Sequence, residues 1–186
     1  MDSPASVSGD ERMRLFVAFT LAPGDRKRIF AWQRAELVGN RARLVPEEHL
    51  HLTVAFLGPR PKEEIEPIAE VIASAAAGAG PMPLELRRYR ETRSVGMLVF
   101  EDTTGEATRV AGEIQRGLEE IGAYKRESRP WLAHVTVLRF RIAPRLHPAL
   151  PELGQISPSE ASAYHSVLRR DGAQYDVLRS VALGGR

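Results

Sequence analysis

The chain has 186 residues, 43% hydrophobic and 27% charged, which suits one folded domain or two closely joined lobes. Its formal net charge is +2 and its isoelectric point about 9.2, too mild a basicity to establish a polyanionic partner. Cysteine is absent, which excludes disulfides, zinc–thiolate centres and thiol nucleophiles.

Residues 1–12 carry Ser, Pro, Gly and acidic side chains around no apolar core. They read as a disordered tail rather than a signal peptide, ahead of a single bilobal domain over 13–186. No apolar run approaches the ~20 residues needed to span a bilayer, so the expected location is cytoplasmic. Arg14 to Leu21 reads as a strand. Pro23-Gly24-Asp25 starts a helix to about Leu37, with Ile29, Phe30, Gln33 and Leu37 near helical spacing and Gly39-Asn40 at its end. A short strand at Arg43–Val45 precedes a longer one that ends at Gly58-Pro59-Arg60-Pro61. Lys62 to Ala77 forms a second helix, and Gly78-Ala79-Gly80-Pro81 marks the passage to a second half. There, Leu84–Tyr89 and Met97–Glu101 read as strands. Thr103-Thr104-Gly105-Glu106 opens a helix whose Val110, Ile114, Leu118 and Ile121 make an amphipathic face, with Gly122 at its C-terminal cap. A strand near Leu132–Arg139 follows, then a proline-rich loop over Pro144–Pro158. Glu160–Leu168 and Tyr175–Leu183 close the chain as a hairpin around Arg170-Asp171-Gly172.

One short pattern occurs twice, as His51-Leu52-Thr53-Val54 and His134-Val135-Thr136-Val137, 83 residues apart. That interval is close to half the chain and suggests an internal duplication. Both copies lie in β-branched, apolar runs. Side chains two apart on a strand share a face. His51 and Thr53 therefore share one face, and Leu52, Val54 and Phe56 the other. His134 and Thr136 likewise oppose Val135 and Val137. Two such strands facing each other across a groove would bring two imidazoles and two hydroxyls onto one small anion. A neutral imidazole can take a proton from water while a protonated one gives a proton to a leaving oxygen. The threonines can donate to phosphate oxygens. A metal centre lacks ligands here, since each motif supplies one good donor and no nearby acidic pair completes a set. Neither a serine elbow nor a phosphate-cradling glycine loop is present, and no cofactor is implied.

The paired motifs resemble those of the two-histidine (2H) phosphoesterases, and within them the LigT-like RNA 2′,3′-cyclic phosphodiesterases, also described as 2′-5′ RNA ligases. The likeness extends to Arg14-Leu15-Phe16-Val17-Ala18-Phe19, to Val45-Pro46-Glu47-Glu48 before the first motif, to Phe56-Leu57-Gly58 after it, and to Arg129-Pro130-Trp131 before the second. It continues through Ser166-Val167-Leu168 and Gly172-Ala173-Gln174-Tyr175. Ala133 departs from the proline usual before the second histidine.

The resemblance implies an α+β fold with two pseudo-symmetric lobes, each a mainly antiparallel sheet with outer helices, and an active-site cleft between them. It implies metal-independent hydrolysis of an RNA or nucleoside 2′,3′-cyclic phosphate to the 2′-phosphate. His51 would be the general acid and His134 the general base, although a pseudo-symmetric site permits either order. Thr53, Thr136 and Arg129 would hold the phosphate, Arg129 having the alternative of a surface residue beside Pro130. The expected partner is an RNA or oligonucleotide ending in a 2′,3′-cyclic phosphate, the expected state a monomer, with no membrane association. Other readings stay open: 2′-5′ ligation, a small cyclic phosphate as substrate, or an RNA-end binding module without turnover. Arg87, Arg88, Arg90 and Arg93 form either a backbone-holding cluster or a solvated face. Phe16, Tyr89 and Trp131 are either stacking platforms or core. His49 reads as a rim contact or a solvated turn residue, and His165 as peripheral.

Overall fold

The computed structural model describes residues 12–37, 42–169 and 172–184. The expected tail up to residue 11, the helix end at Gly39-Asn40 and the Arg170-Asp171 part of the closing turn lie outside the described residues. The elements in order are β1 (Arg12–Leu21), α1 (Pro23–Glu36), β2 (Arg43–Leu44), β3 (His51–Pro61), α2 (Ile65–Ala77), β4 (Leu84–Glu91), β5 (Val95–Asp102), α3 (Glu106–Glu120), β6 (His134–Arg139), β7 (Gln155–Ile156), β8 (Pro158–Arg169) and β9 (Gly172–Ala182). Short 3₁₀ turns at Glu47–His49 and Lys62–Glu64 precede β3 and α2. The α+β, two-lobed antiparallel architecture expected from the sequence is the one observed.

The strands run in the order β7-β4-β5-β6-β3-β1-β8-β9, with β2 added on β6. Strands β1, β3, β8 and β9 form one lobe and β4 to β7 the other. The lobes share one continuous sheet, joined where Leu52 of β3 pairs with Val135 of β6. Several boundaries differ from expectation. Gly58-Pro59-Arg60-Pro61 does not end β3, because Arg12–Leu15 of β1 pair with Gly58–Pro61 and carry the ladder past both prolines. Arg12, assigned to the tail, is thus the first residue of β1. The second helix is regular only from Ile65, its first turn being 3₁₀.

Helix faces follow the apolar spacing. Ile65, Ile68 and Ile72 of α2 and Val110, Ile114 and Leu118 of α3 are buried. Each such side chain contributes roughly 1.5–3 kcal/mol when removed from water. Gly117 allows the two helices to meet, since a Cβ there would come within 2.7 Å of Val71 Cγ1. Asp102 caps α3 by accepting from Gly105 N at 3.0 Å and Thr108 N at 2.7 Å. The helices do not simply cover their own half. Trp32 of α1 donates to Ala149 O at 2.7 Å and its ring faces Tyr89 at 6.3 Å, so α1 leans on the second half. In return α3 packs on β3.

Candidate active site

Each motif opens its strand, and both strands repeat one exposure pattern. His51 and Thr53 are half-exposed, Leu52, Val54 and Ala55 buried, and Phe56 exposed. His134 and Thr136 are half-exposed, Val135, Val137 and Leu138 buried, and Arg139 exposed. Simple alternation put Phe56 on the buried face with Leu52 and Val54; at 68% exposure it is on the other. A β-bulge in each strand explains the correction. Against β1, Ala55 pairs with Val17 and Thr53 with Ala18, leaving Val54 as the extra residue. Against β5, Leu138 pairs with Gly96 and Thr136 with Met97, leaving Val137 as the extra residue. An extra residue resets the alternation. Phe56 and Arg139, sixth in each motif, thereby return to the face of the histidines and threonines.

The motif strands are neighbours in one sheet rather than opposite walls of a groove. In the antiparallel register set by Leu52 and Val135, the flanking positions put Thr53 opposite His134 and Thr136 opposite His51. The four side chains thus meet on one face at the join of the lobes. Both imidazoles are held alike. His51 Nδ1 lies 2.7 Å from His49 O, and His134 Nδ1 lies 2.8 Å from Leu132 O. A carbonyl oxygen only accepts, so each Nδ1 carries hydrogen and each Nε2 is the nitrogen free to exchange a proton. Thr53 Oγ1, 3.1 Å from His51 Nε2, donates to it.

His51 sits in an aromatic nest. Its ring lies 5.0 Å from Phe16, 5.6 Å from Tyr175 and 6.1 Å from Tyr164. Phe16 stacks on Tyr164 at 4.9 Å, and the Tyr164 hydroxyl is fixed by Thr20 Oγ1 at 2.7 Å. Burial pushes the His51 pKa down from 6.5 to about 4; the bond to His49 O opposes this, and the charges of Arg139, His134 and His49 add to it. His51 is therefore neutral near pH 7.

Two cavities flank the motifs. One of about 620 Å³ is lined by Thr53, Phe56, Arg90, Arg129, Trp131 and His134 among others. One of about 530 Å³ lies on the other side of Phe56, where Arg14, Phe16, Arg139 and Tyr175 contribute. Among the described residues, no three metal-ligating side chains cluster.

A profile described as the 2′-5′ RNA ligase superfamily matches residues 23–173. The chain belongs to that superfamily. A protein of Thermus thermophilus named RNA 2′,3′-cyclic phosphodiesterase is 30% identical over 183 residues, covering 93% of this chain and 91% of that one. The crystal structure of TT0787, also from Thermus thermophilus, superposes with a TM-score of 0.79 at 28% identity, over 93% of this chain and 99% of that one. Apo LigT of E. coli superposes with a TM-score of 0.77 over 94% and 99% of the two chains; at 24% identity this likeness bears on the fold alone. The resemblance read from the motifs is borne out at the level of the superfamily.

His51, Thr53, His134 and Thr136 lie together on one face where β3 meets β6. Arg129 lines the larger cavity from the loop before β6, but its side chain is 83% exposed and pairs with Glu127 at 2.9 Å. It is a rim residue with a carboxylate already in hand. The sequence reading missed Arg139, whose charge reaches His51 and His49 and which lines the smaller cavity. Its signal was the shared sixth position of the motifs, visible only once the bulge is known. Trp131 is a brace, donating from Nε1 to Thr53 O at 2.8 Å. Phe16 is 3% exposed and belongs to the nest. Tyr89 donates to Glu91 Oε1 at 3.2 Å, away from the histidines. His49 serves His51 through its carbonyl, while its ring packs on Tyr175 at 4.4 Å. Of the arginine cluster, Arg90 lines the larger cavity, whereas Arg87 pairs with Glu101.

Proposed function

We propose that the protein hydrolyses RNA or oligonucleotide ends bearing a 2′,3′-cyclic phosphate to the 2′-phosphate, without a metal ion. The observation that carries this reading is the pair of imidazoles on one face, each with Nδ1 tied to the carbonyl two residues back and Nε2 left for proton exchange. Membership of the superfamily and the name of the Thermus relative support the substrate class.

In this reading water attacks phosphorus, the P–O3′ bond breaks, and a 3′-hydroxyl and a 2′-phosphomonoester result. The low His51 pKa favours the reverse of the expected division of labour. His51, neutral, takes the proton of the attacking water at Nε2, and His134 donates its Nε2 proton to O3′. Thr136 donates to a non-bridging oxygen, Thr53 turns its hydroxyl from His51 Nε2 to another as water takes its place, and Arg139 offsets their charge. Arg129 is proposed as a rim contact for the polynucleotide. The superfamily's description also favours a second reading, 2′-5′ ligation, in which a 5′-hydroxyl replaces water: it attacks phosphorus and gives its proton to His51, the P–O3′ bond breaks and His134 protonates O3′, leaving a 2′-5′ phosphodiester and a 3′-hydroxyl.

The test is a product assay with an oligonucleotide ending in a 2′,3′-cyclic phosphate and excess chelator. The expected product is the 2′-phosphate at undiminished rate. Full dependence on added metal, or a 3′-phosphate product, would refute the proposal. Binding without turnover at any pH would indicate an RNA-end binding module instead.

A further inference from the structure

Two glutamines outside the motifs grip the bulges crosswise. Gln33 of α1 is fully buried, and its Nε2 lies 2.6 Å from Val137 O and 3.1 Å from Val45 O. Gln115 of α3 is 8% exposed, and its Nε2 lies 2.8 Å from Val54 O. The acceptors Val54 and Val137 are the two bulge residues, fourth in each motif. A helix from the first half of the chain thus holds the second motif, and a helix from the second half holds the first.

The chemistry explains why glutamine stands there. A bulge residue leaves the regular ladder, and a buried carbonyl short of donors is costly; Val137 O also accepts from Val45 N at 3.0 Å, so Gln33 is its second donor and ties the bulge to Val45 O as well. The amide nitrogen of Gln33 is assigned by its neighbours, because the flipped amide would set its oxygen against two carbonyl oxygens. The two glutamines are 82 residues apart and the two valines 83, so the braces belong to the same duplication as the motifs.

We propose that Gln33 and Gln115 are positioning residues: each locks the bulge of the opposite half's motif, and together they fix the spacing of the two imidazoles across the join of the lobes. The inference rests on the reading that both imidazoles act on one phosphate. Each bulge carbonyl is three residues from its histidine on a rigid strand, so releasing it shifts that ring. Misplacement of reacting groups by about 1 Å costs on the order of 10²-fold in rate.

The experiment uses Gln33→Met and Gln115→Met, which keep the volume and remove the donor. Imidazole resonances of His51 and His134 are recorded by NMR on the full chain without substrate, alongside kcat and KM on the cyclic-phosphate oligonucleotide. Gln115→Met is expected to move the His51 signals more than those of His134, and Gln33→Met the reverse. In both, kcat falls roughly 10- to 100-fold while KM stays within about two-fold. Unmoved ring signals with only a lowered melting temperature would overturn the proposal, as would each variant shifting the histidine of its own half. Should Gln33→Met not fold, Gln115→Met decides alone. Because the ring signals need no turnover, a wild-type chain inactive on cyclic phosphates would refute the assigned reaction and leave the braces to be judged separately.

Discussion

Replacing His51 by Gln should flatten the acid limb of the protein's stability curve. The folded ring titrates at about 4 because Phe16, Tyr164 and Tyr175 surround it and Arg139 lies nearby, whereas an unfolded histidine titrates near 6.5. Between those values the unfolded chain binds a proton that the folded chain refuses, so acid draws the equilibrium toward unfolding. The folded pKa is depressed, and the stability tied to it is present above pH 6.5 and lost as the pH falls toward 4. At ~1.36 kcal/mol per pKa unit, the gap between 6.5 and about 4 caps this loss at ~3.4 kcal/mol, with solvent at the ring's open edge reducing it. Urea unfolding of both proteins from pH 4 to pH 7 measures it. The amide introduced by His51→Gln does not titrate. The wild type should therefore lose up to about 3 kcal/mol more than the variant across this window, whatever the offset between the two at pH 7. Equal pH slopes would refute the claim that burial keeps His51 neutral.

Three further substitutions probe the surroundings. Arg139→Gln should raise the His51 pKa, read by NMR titration, and lower kcat/KM roughly 10²-fold, as loss of a charge-stabilising donor does; an unchanged His51 titration would contradict the placement of Arg139. Phe56→Ala should change stability by no more than ~0.5 kcal/mol, because the ring is mostly exposed, while the KM for an oligonucleotide rises roughly 5-fold or more through lost base stacking; an unchanged KM would remove Phe56 from the binding surface. Trp131→Phe strips the donor from Thr53 O and should destabilise the fold by about 1–3 kcal/mol in urea unfolding, an effect absent if that carbonyl is otherwise served.

The histidines and threonines were legible in the sequence because a strand's two-residue period is strict over four residues. It fails at the fifth, just past the bulges at Val54 and Val137, and no local composition marks them. A bulge is a property of pairing with β1 or β5, so Phe56 was placed on the wrong face and Arg139 was passed over. The helix of Val110, Ile114 and Leu118 was plain because these residues recur at helical spacing along one apolar stripe. Gln33 and Gln115 sit in such stripes as polar residues, and their purpose depends on distant carbonyls, at separations of 104 and 61 residues. The continuation of β3 through Pro59 and Pro61 was hidden for a related reason: proline signals a stop unless a partner strand reaches that far.

The central claim is that His51 and His134 act together on one phosphorus atom. Turnover of a 2′,3′-cyclic-phosphate oligonucleotide by His51→Ala, His134→Ala and the double variant tests it most directly. Each single variant should lose roughly 10²–10⁴-fold in kcat, and the double should be little worse than the poorer single, as for residues working as a unit. Losses that multiply in the double variant, or a single variant retaining full turnover, would contradict the claim.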